Sequence, residues 1–275
     1  MVPYLFSGTL SCMPGSGARA TSNYRDRNST ADRALDILLL FNEKKLVWSG
    51  AEIADRIGVA RSTGYRYMQS LVNAGFVEEG AGGFRLGPRI FELARLARAG
   101  TSLGDIAVPA MRSLVAAVGE TALLTRRSGR FVVCLELVEA PRPVRLSYER
   151  GHVLPINAGA AAEVLLAWAS PDEVASVLNT APLERFTAKT LTDPAQLQAR
   201  LAQIRKDGVA ISQGELDKEI LGVAAPIHSA RGGVIAAVSV AALASRVPRS
   251  EVKSLKLAVK TAAANISEQL TIADI

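Results

Sequence analysis

The chain has few of the residues from which metal sites and disulfide frameworks are built. Its only cysteines are Cys12 and Cys134, and its only histidines are His152 and His228. No two of these four residues have the spacing of a ligand pair. We therefore expect no disulfide framework, no zinc site and no other metal or cofactor.

Long apolar runs are also missing, although 49% of the residues are hydrophobic. A membrane-spanning helix needs about 20 apolar residues in a row, and the longest candidates here are interrupted by Ser, Gly or Arg. The opening VPYLFSGTL has no basic segment before it, as a secretory signal would. We expect a soluble, cytoplasmic protein with no membrane partner. We also expect residues 1–28 to be a disordered N-terminal arm or an over-long translation start.

The balance of charged residues excludes few classes of function. The 275 residues include 32 Lys+Arg and 26 Asp+Glu, which gives a net charge of +6. Such an excess is compatible with phosphate binding, but many basic proteins bind no nucleic acid. The length allows two domains with a sizeable core, so any function must be argued from motifs.

Residues 49–75, SGAEIADRIGVARSTGYRYMQSLVNAG, predict two short helices joined by a tight turn. Ser49 and Glu52 have the spacing of a capping box, which opens the first helix. Gly58 supplies the backbone conformation that a turn after a helix needs. The second helix is expected from about Arg61 to Ala74. The stretch therefore predicts a helix-turn-helix, although an ordinary helical hairpin would share much of this pattern.

The segments on either side of this stretch favour a winged helix. Residues 76–86, FVEEGAGGFRL, form two β-prone runs around a glycine-rich tip, which predicts a hairpin. Residues 29–41 predict a supporting helix with Ala34, Leu35, Leu38 and Phe41 on its inner face. We therefore assign residues 29–87 to a winged helix-turn-helix domain.

The second helix of a helix-turn-helix places its N-terminal part in the major groove, where Arg can read guanine and Gln can read adenine. Two features count against a rigid reading helix. Gly64 inside the helix costs roughly 1 kcal/mol relative to alanine, and Ala60 occupies the N-cap, where a polar residue is preferred. The predicted DNA-contacting residues are Ser49, Arg61, Ser62, Thr63, Tyr65, Arg66, Gln69 and Arg85.

A linker helix is expected over residues 88–100, PRIFELARLARAG, because Pro88 suits a helix start. Its apolar residues form a broad stripe, which we expect to pair with the same helix of a second copy.

Residues 101–275 predict a sensor-like domain that mixes helices and strands, so that the whole chain is α+β with two domains. A helix over residues 103–119 is followed by strand-like stretches at TALLT, residues 130–140 and VRLSYE. Helices are expected at 157–169, 172–178, 193–207 and 248–270, and further strands at 223–227 and 234–243.

Several blocks in this order resemble the IclR family of transcriptional regulators, over about residues 29–270. They are ADRALDILLLF, EIADRIGVARSTGYRYMQSLVNAGFVE, FRLGPRIFELA, GHVLPINAGAAAEVLLAW, GVAISQGE and GVAAPIHSARGGVIAAVSV. The resemblance implies a winged helix-turn-helix followed by a GAF-like effector domain. It also implies a dimer or tetramer that binds palindromic double-stranded operator DNA and responds to a small metabolite, often a carboxylate.

The resemblance also implies an effector pocket. Small residues would let a ligand approach the backbone amides at the start of the helix at 157–169, which attract a carboxylate. Ser239 would add a hydroxyl, although a strand serine satisfied by a neighbour is the plain alternative. The implied pocket residues are Leu146, Leu154, Ala160, Ala161, Ser212, Gln213, Ile220, Gly222, Ser239 and Ala241.

The chain departs from the family pattern at this pocket. Ala162 and Glu163 stand where the family commonly has Gly-Lys, and Ser212, Gly222 and Ala241 replace polar residues of some members. From these departures we expect a bulkier or more apolar acid, such as an aromatic one.

Two other classes of protein remain as alternatives. In one, the second domain is an enzyme acting on a small carboxylic acid, but no nucleophile lies beside a recognisable base and no phosphate loop is present. In the other, the protein binds DNA without any effector, and a filled core between Leu154 and Ser239 would favour it. We expect a non-enzymatic regulator.

Overall fold

The computed structural model describes residues 30–42, 44–99, 103–142, 146–180 and 182–274. The N-terminal arm expected for residues 1–28 lies outside these ranges, as does Cys12. The chain divides into two compact units, residues 1–101 and 102–275. Within the described ranges, no helix combines the length and the hydrophobicity needed to cross a membrane.

The first unit contains a three-helix core and a β-hairpin. Ile37, Ile53, Met68 and Phe84 are almost fully buried at its centre. The two hairpin strands are antiparallel, and Trp48 adds a further backbone pair to Phe84. The elements are α1 (Thr30–Leu40), α2 (Gly50–Arg56), α3 (Arg61–Asn73), β1 (Val77–Gly80), β2 (Gly83–Leu86) and α4 (Arg89–Ala99).

The inner face of α1 differs from the prediction at one position. Ile37 is completely buried, whereas Leu35, which was expected in the core, is 58% exposed. Ala34, Leu38 and Phe41 pack against the core as expected. Positions 34, 37, 38 and 41 follow the three- and four-residue spacing of one helix face, and position 35 does not. The prediction for Leu35 was therefore wrong.

The second unit is a six-stranded sheet with helices on both faces, in the strand order β5-β4-β3-β8-β7-β6. All neighbouring strands are antiparallel. Its elements are α5 (Leu103–Val118), β3 (Thr121–Ser128), β4 (Phe131–Val138), β5 (Val153–Pro155), α6 (Ala160–Ala167), α7 (Pro171–Thr180), α8 (Pro194–Asp207), β6 (Ala210–Gln213), β7 (Ile220–His228), β8 (Val234–Leu243) and α9 (Val252–Ile272).

Alternation along the central strands creates two hydrophobic layers. On β7, Val223 and Ala225 face the layer shared with α5 and α9, whereas Ala224 faces the layer shared with α6 and α8. Successive side chains of a strand point to opposite faces of the sheet, and both faces are covered here. The chain therefore has the expected two-domain α+β fold.

Two elements of the structure differ from the prediction. The predicted strand VRLSYE is absent from its described part, residues 146–149, because the edge of β4 pairs with residues 151–155 instead. Cys134 donates to the carbonyl of His152 at 2.9 Å and accepts from the amide of Gly151 at 2.7 Å. The helix expected from Asn157 begins only at Ala160, because the backbone of Gly159 has a φ of 96°, outside the helical range. The side chain of Asn157 instead donates to the carbonyl of Glu184 at 2.8 Å.

Candidate functional site

The start of α2 is fixed by its capping box. The backbone amide of Ser49 donates to Glu52 Oε2 at 2.9 Å, and the amide of Glu52 donates to Ser49 Oγ at 3.3 Å. Lys45 Nζ lies 2.5 Å from Glu52 Oε1. This lysine lowers the pKa of Glu52 to about 2, with help from Ser49. Both predicted halves of the capping box are therefore present.

The packing between α2 and α3 explains Gly64. A Cβ on Gly64 would lie 2.9 Å from the Cβ of Ala54 and 3.3 Å from its Cα. Gly64 is buried, so the glycine lets the two helices approach closely. The structure gives Gly64 a packing role, because α2 encloses the residue; that it loosens the start of α3 stays a prediction. The N-cap residue Ala60 does lack a side-chain hydrogen bond, as expected.

The outer face of α3 carries positive charge without acidic neighbours on the helix. No Asp or Glu occurs among its residues, RSTGYRYMQSLVN. Arg61 and Arg66 are exposed, and neither guanidinium group forms a hydrogen bond or ion pair with the described residues, although the backbone carbonyl of Arg66 accepts from Ser70 Oγ at 3.0 Å. Ser62 and Gln69 are also exposed, and Thr63 is half-buried. Two guanidinium groups without a partner among the described residues, here called uncommitted, therefore lie on the face predicted to read DNA.

Other predicted DNA contacts already have partners within the protein. Arg85 lies on the hairpin of β1 and β2, which is the wing of the winged helix. Its Nε is 2.5 Å from Glu78 Oε1, and its side chain is 64% exposed. Gln69 donates to Asn73 Oδ1 at 3.2 Å, and the hydroxyl of Ser49 donates to Glu52 Oε2 at 2.9 Å. The ring of Tyr65 meets Phe84 edge-on, with centroids 6.0 Å apart. Tyr65 therefore supports the wing and still exposes half of its surface.

The second unit contains a cavity of about 60 Å³ between the start of α6 and strands β6, β7 and β8. On this measure one water needs roughly 10 to 15 Å³, so the cavity has room for a few waters or a very small molecule. It brings together eight of the ten residues implied by the resemblance, namely Leu154, Ala160, Ala161, Ser212, Ile220, Gly222, Ser239 and Ala241.

The other two implied residues do not line this cavity. Leu146 packs beside a small cluster of Leu123, Cys134 and Ala241. Gln213 is exposed on β6, because Ser212, its neighbour on the strand, faces inward. The sequence reasoning missed half of the wall, which also contains Leu123, Tyr148, Ala158, Gly159, Ala162, Leu216, Asp217 and Val240.

Backbone amides form one side of the cavity. Gly159, the N-cap of α6, has a φ of 96° and provides no side-chain cap. The first backbone hydrogen bond of the helix runs from the amide of Glu163 to the carbonyl of Gly159 at 3.1 Å. The amides of Ala160, Ala161 and Ala162 precede it and have no acceptor among the described residues. Such a helix N-terminus attracts an anionic group.

Hydroxyl and carboxyl groups form another side. Ser239 is 6% exposed, lines the cavity, and its hydroxyl has no hydrogen-bond partner among the described residues. Ser212, also in the wall, donates from Oγ to Glu215 Oε2 at 2.8 Å. No described group of three His, Cys, Asp or Glu side chains is arranged to hold a metal ion.

Beyond Ser212, a partly buried charge network extends to α6. Arg200 Nη2 lies 3.4 Å from Glu163 Oε2 and 3.9 Å from Glu215 Oε1. The side chain of Glu163 is only 1% exposed. Burial, followed by repulsion from Glu215, raises the pKa of Glu163 to about 8, against the opposing effect of Arg200. The Glu163 carboxyl is therefore mostly protonated at neutral pH.

Two family models match the chain. The IclR helix-turn-helix domain matches residues 30–80, and the bacterial transcriptional regulator IclR C-terminal domain matches residues 98–268, which is more than half of the chain. The chain belongs to the IclR family. The resemblance seen in the sequence is thereby confirmed.

Named regulators and solved IclR proteins are similar to this chain over most of their length. The HTH-type transcriptional regulator BhcR of Paracoccus denitrificans is 34% identical over 86% of this chain and 85% of its own. A putative IclR regulator from Silicibacter is 31% identical, with a TM-score of 0.80 over 88% of this chain and 96% of its own. An IclR homologue from Microbacterium hydrocarbonoxydans, solved with 4-hydroxybenzoate, is 29% identical, with a TM-score of 0.73 over 89% and 100%.

These matches decide between the classes of function. The similar proteins with names are transcriptional regulators, among them XynR of Escherichia coli, which is 29% identical over 88% of this chain and 96% of its own. The IclR protein described here is therefore a transcriptional regulator with a DNA-binding domain and a ligand-binding domain, and not an enzyme.

Proposed function

We propose that this IclR protein binds a palindromic operator as a dimer or tetramer, and that a small carboxylic acid bound in the cavity changes its operator affinity. The observation that carries the DNA-binding part is the outer face of α3, where Arg61 and Arg66 are exposed and uncommitted on a helix without acidic residues. Arginine pairs well with the major-groove edge of guanine.

The remaining polar residues suit supporting roles. Ser62 and Thr63 lie at the start of α3, where short hydroxyls can hold phosphates. Arg85 on the wing would exchange its exposed ion pair with Glu78 for a phosphate, since exposed pairs of this kind contribute little stability. Gln69 and Tyr65 complete the proposed surface, and Ser49 would contact phosphate while it caps α2.

The oligomer is supported by α4. Leu93 and Leu96 are 43% and 47% exposed, and their three-residue spacing places them on one side of the helix. Apolar side chains left in solvent on a helix favour pairing with a second copy. Two copies would present two α3 helices to the two halves of a palindrome.

The effector is supported by the polar groups that converge on the cavity. A carboxylate would accept hydrogen bonds from the free amides of Ala160, Ala161 and Ala162, and Ser239 would add a hydroxyl. The related Microbacterium protein was solved with 4-hydroxybenzoate, itself a carboxylic acid. The volume of about 60 Å³ favours a compact acid over the bulky one expected from the sequence, since an aromatic acid would need the walls to move.

The alternative of an effector-independent DNA-binding protein predicted a filled core between Leu154 and Ser239. Both residues instead line the cavity, which favours a ligand-responsive regulator.

The test is binding of the full-length protein to the DNA that flanks its own gene, at fixed salt, against random competitor DNA. A panel of aliphatic and aromatic acids is added to each reaction. The expected result is specific binding that one class of acid changes. Specific binding that no acid changes would contradict the effector, and binding without preference over competitor would contradict the operator.

A further inference from the structure

The described wall of the cavity carries an acidic side chain and no basic one. Asp217 is a wall residue, and no Lys, Arg or His is among the described residues that line the cavity. A ligand that is only a carboxylate would place its negative charge near Asp217. The partial charge of a helix N-terminus, about half an elementary charge, would then be the main compensation.

Asp217 has one oxygen available for a ligand. Its Oδ1 accepts from the backbone amide of Glu219 at 3.0 Å, which holds the side chain in place. Its Oδ2 has no hydrogen-bond partner among the described residues. Burial, and then the negative charge of Asp217, raises the pKa of Tyr148 to about 12. Tyr148, which also lines the cavity, is therefore a neutral hydroxyl close to this carboxylate.

Charges behind the wall do not neutralise Asp217. Arg200 lies between Glu163 and Glu215. With Glu163 protonated at neutral pH, the arginine and Glu215 balance each other. Lys189, beside Gly214, is exposed and is not part of the wall. Among the described residues that line the cavity, Asp217 therefore provides a negative charge and no side chain provides a positive one.

We propose that the effector is a compact amino acid, whose carboxylate binds the amides at the start of α6 and whose ammonium group faces Asp217. The ammonium group would donate to acceptor oxygens of Asp217 and Tyr148, while the hydroxyl of Ser239 donates to the carboxylate. The ligand is neutral overall, so it binds without adding net charge to a cavity that is already acidic. This inference rests on the proposed ligand-responsive function and names the class of ligand.

The test compares three classes of ligand that share the same carbon skeletons. They are amino acids (glycine, L-alanine and β-alanine), the matching hydroxy acids, and the plain acids acetate and propionate. Each is titrated into the full-length protein by calorimetry, and ligand binding is also followed as a rise in Tm. The amino acids should bind at least about tenfold more tightly than the other two forms, because only they bring a cation to the Asp217 carboxylate.

Asp217→Asn should abolish this preference. Asparagine keeps the oxygen that accepts from the amide of Glu219, so the turn should survive. Asp172→Asn removes an exposed acid of α7 that does not line the cavity, and should leave the preference intact. Equal binding of propionate or lactate, no binding by any of the amino acids at millimolar concentration, or an unchanged preference in Asp217→Asn would each overturn the inference.

Measuring ligand binding and operator binding together distinguishes a failure of the ligand class from a failure of the regulatory role. If an amino acid binds but leaves operator binding unchanged, the ligand class stands and the regulatory role of the cavity fails. If an acid without nitrogen changes operator binding, the regulatory role stands and the ligand class fails.

Discussion

Gly64 of α3 and Ala54 of α2 lie so close that a Cβ on the glycine would come within 2.9 Å of the alanine Cβ. Gly64, which has a low helix propensity, thus allows α2 and α3 to approach this closely. Helix propensity alone would favour alanine at position 64 by roughly 1 kcal/mol. The packing opposes it.

We expect Gly64→Ala to destabilise the winged domain by about 1 kcal/mol, since overpacking typically costs about 1 to 3 kcal/mol and propensity returns part of this. The measurement is denaturant unfolding followed by Trp48 fluorescence in a Trp168→Phe background. Ala54→Gly should rescue Gly64→Ala, because it removes the opposing methyl group. Additive losses in the double variant would show that the two positions are not in steric contact.

Arg66 should contribute to sequence discrimination, because its guanidinium is exposed and uncommitted on α3. Arg66→Ala is expected to weaken operator binding by about 1 to 3 kcal/mol and random-DNA binding much less. Binding to both DNAs is measured at one salt concentration. Arg85→Ala is the matched control, and should weaken both DNAs equally if Arg85 contacts phosphate. The same equal loss for Arg66→Ala would contradict base reading.

Glu52 should make the winged domain sensitive to acid. Its pKa falls from an ordinary 4.5 to about 2, mainly through Lys45, so the unfolded chain binds the proton more readily than the folded one. The stabilising contribution is present above pH 4.5 and is lost as the pH falls towards 2. We therefore expect the stability difference between wild type and Glu52→Gln to shrink over that range, as followed by Trp48 fluorescence.

Asp55→Asn is the control for this pH dependence, because it removes an exposed acid from the same helix and leaves the capping box in place. A difference between wild type and Glu52→Gln that stays constant down to pH 2 would contradict the assigned pairing with Lys45.

Local patterns predicted those parts of the fold that local chemistry determines. The capping box of Ser49 and Glu52 is present, and the strand from Val234 to Leu243 has the predicted bounds. The helix expected from Asp193 is α8, which Asp193 caps by accepting from the amide of Gln196. Each of these features depends on residues adjacent in the chain.

Features that depend on distant partners were not predictable. The alternating stretch VRLSYE at 144–149 would suit a strand, but residues 151–155 occupy the edge of β4. Tyr148 and Asp217 are far apart in the sequence and reach one cavity only through the sheet order. No motif marks either residue. Gly64 looked unfavourable because propensity describes a single helix, whereas Ala54 belongs to another.

Glu163 should make the second domain less stable in base. Burial raises its pKa from 4.5 to about 8, so between these values the folded state holds a proton that the unfolded state has released. The free energy of unfolding therefore falls as the pH rises through this window. Glu163→Gln has no proton to lose, and should become more stable than wild type by on the order of a few kcal/mol at pH 8 to 9.

The measurement for Glu163 is denaturant unfolding of the second domain, followed by Trp168 fluorescence in a Trp48→Phe background between pH 5 and 9. Near pH 5 the wild type and Glu163→Gln should be of similar stability. If the wild type instead gains stability relative to Glu163→Gln with rising pH, Arg200 outweighs burial and Glu163 is ionised in the folded protein.

Gly222 gives the cavity its width on β7. A Cβ there would lie 3.4 Å from the Cβ of Ala160, and the branched side chain of valine would extend into the space in front of the α6 amides. Gly222→Val should therefore weaken effector binding by about tenfold or more, because the ligand must displace well-packed atoms. Operator binding without effector should be unchanged.

Gln213→Ala is the matched control, because Gln213 was implied by resemblance but is exposed on β6 and absent from the described wall of the cavity. If Gln213→Ala weakens effector binding as much as Gly222→Val does, the ligand lies outside this cavity, nearer the surface of β6.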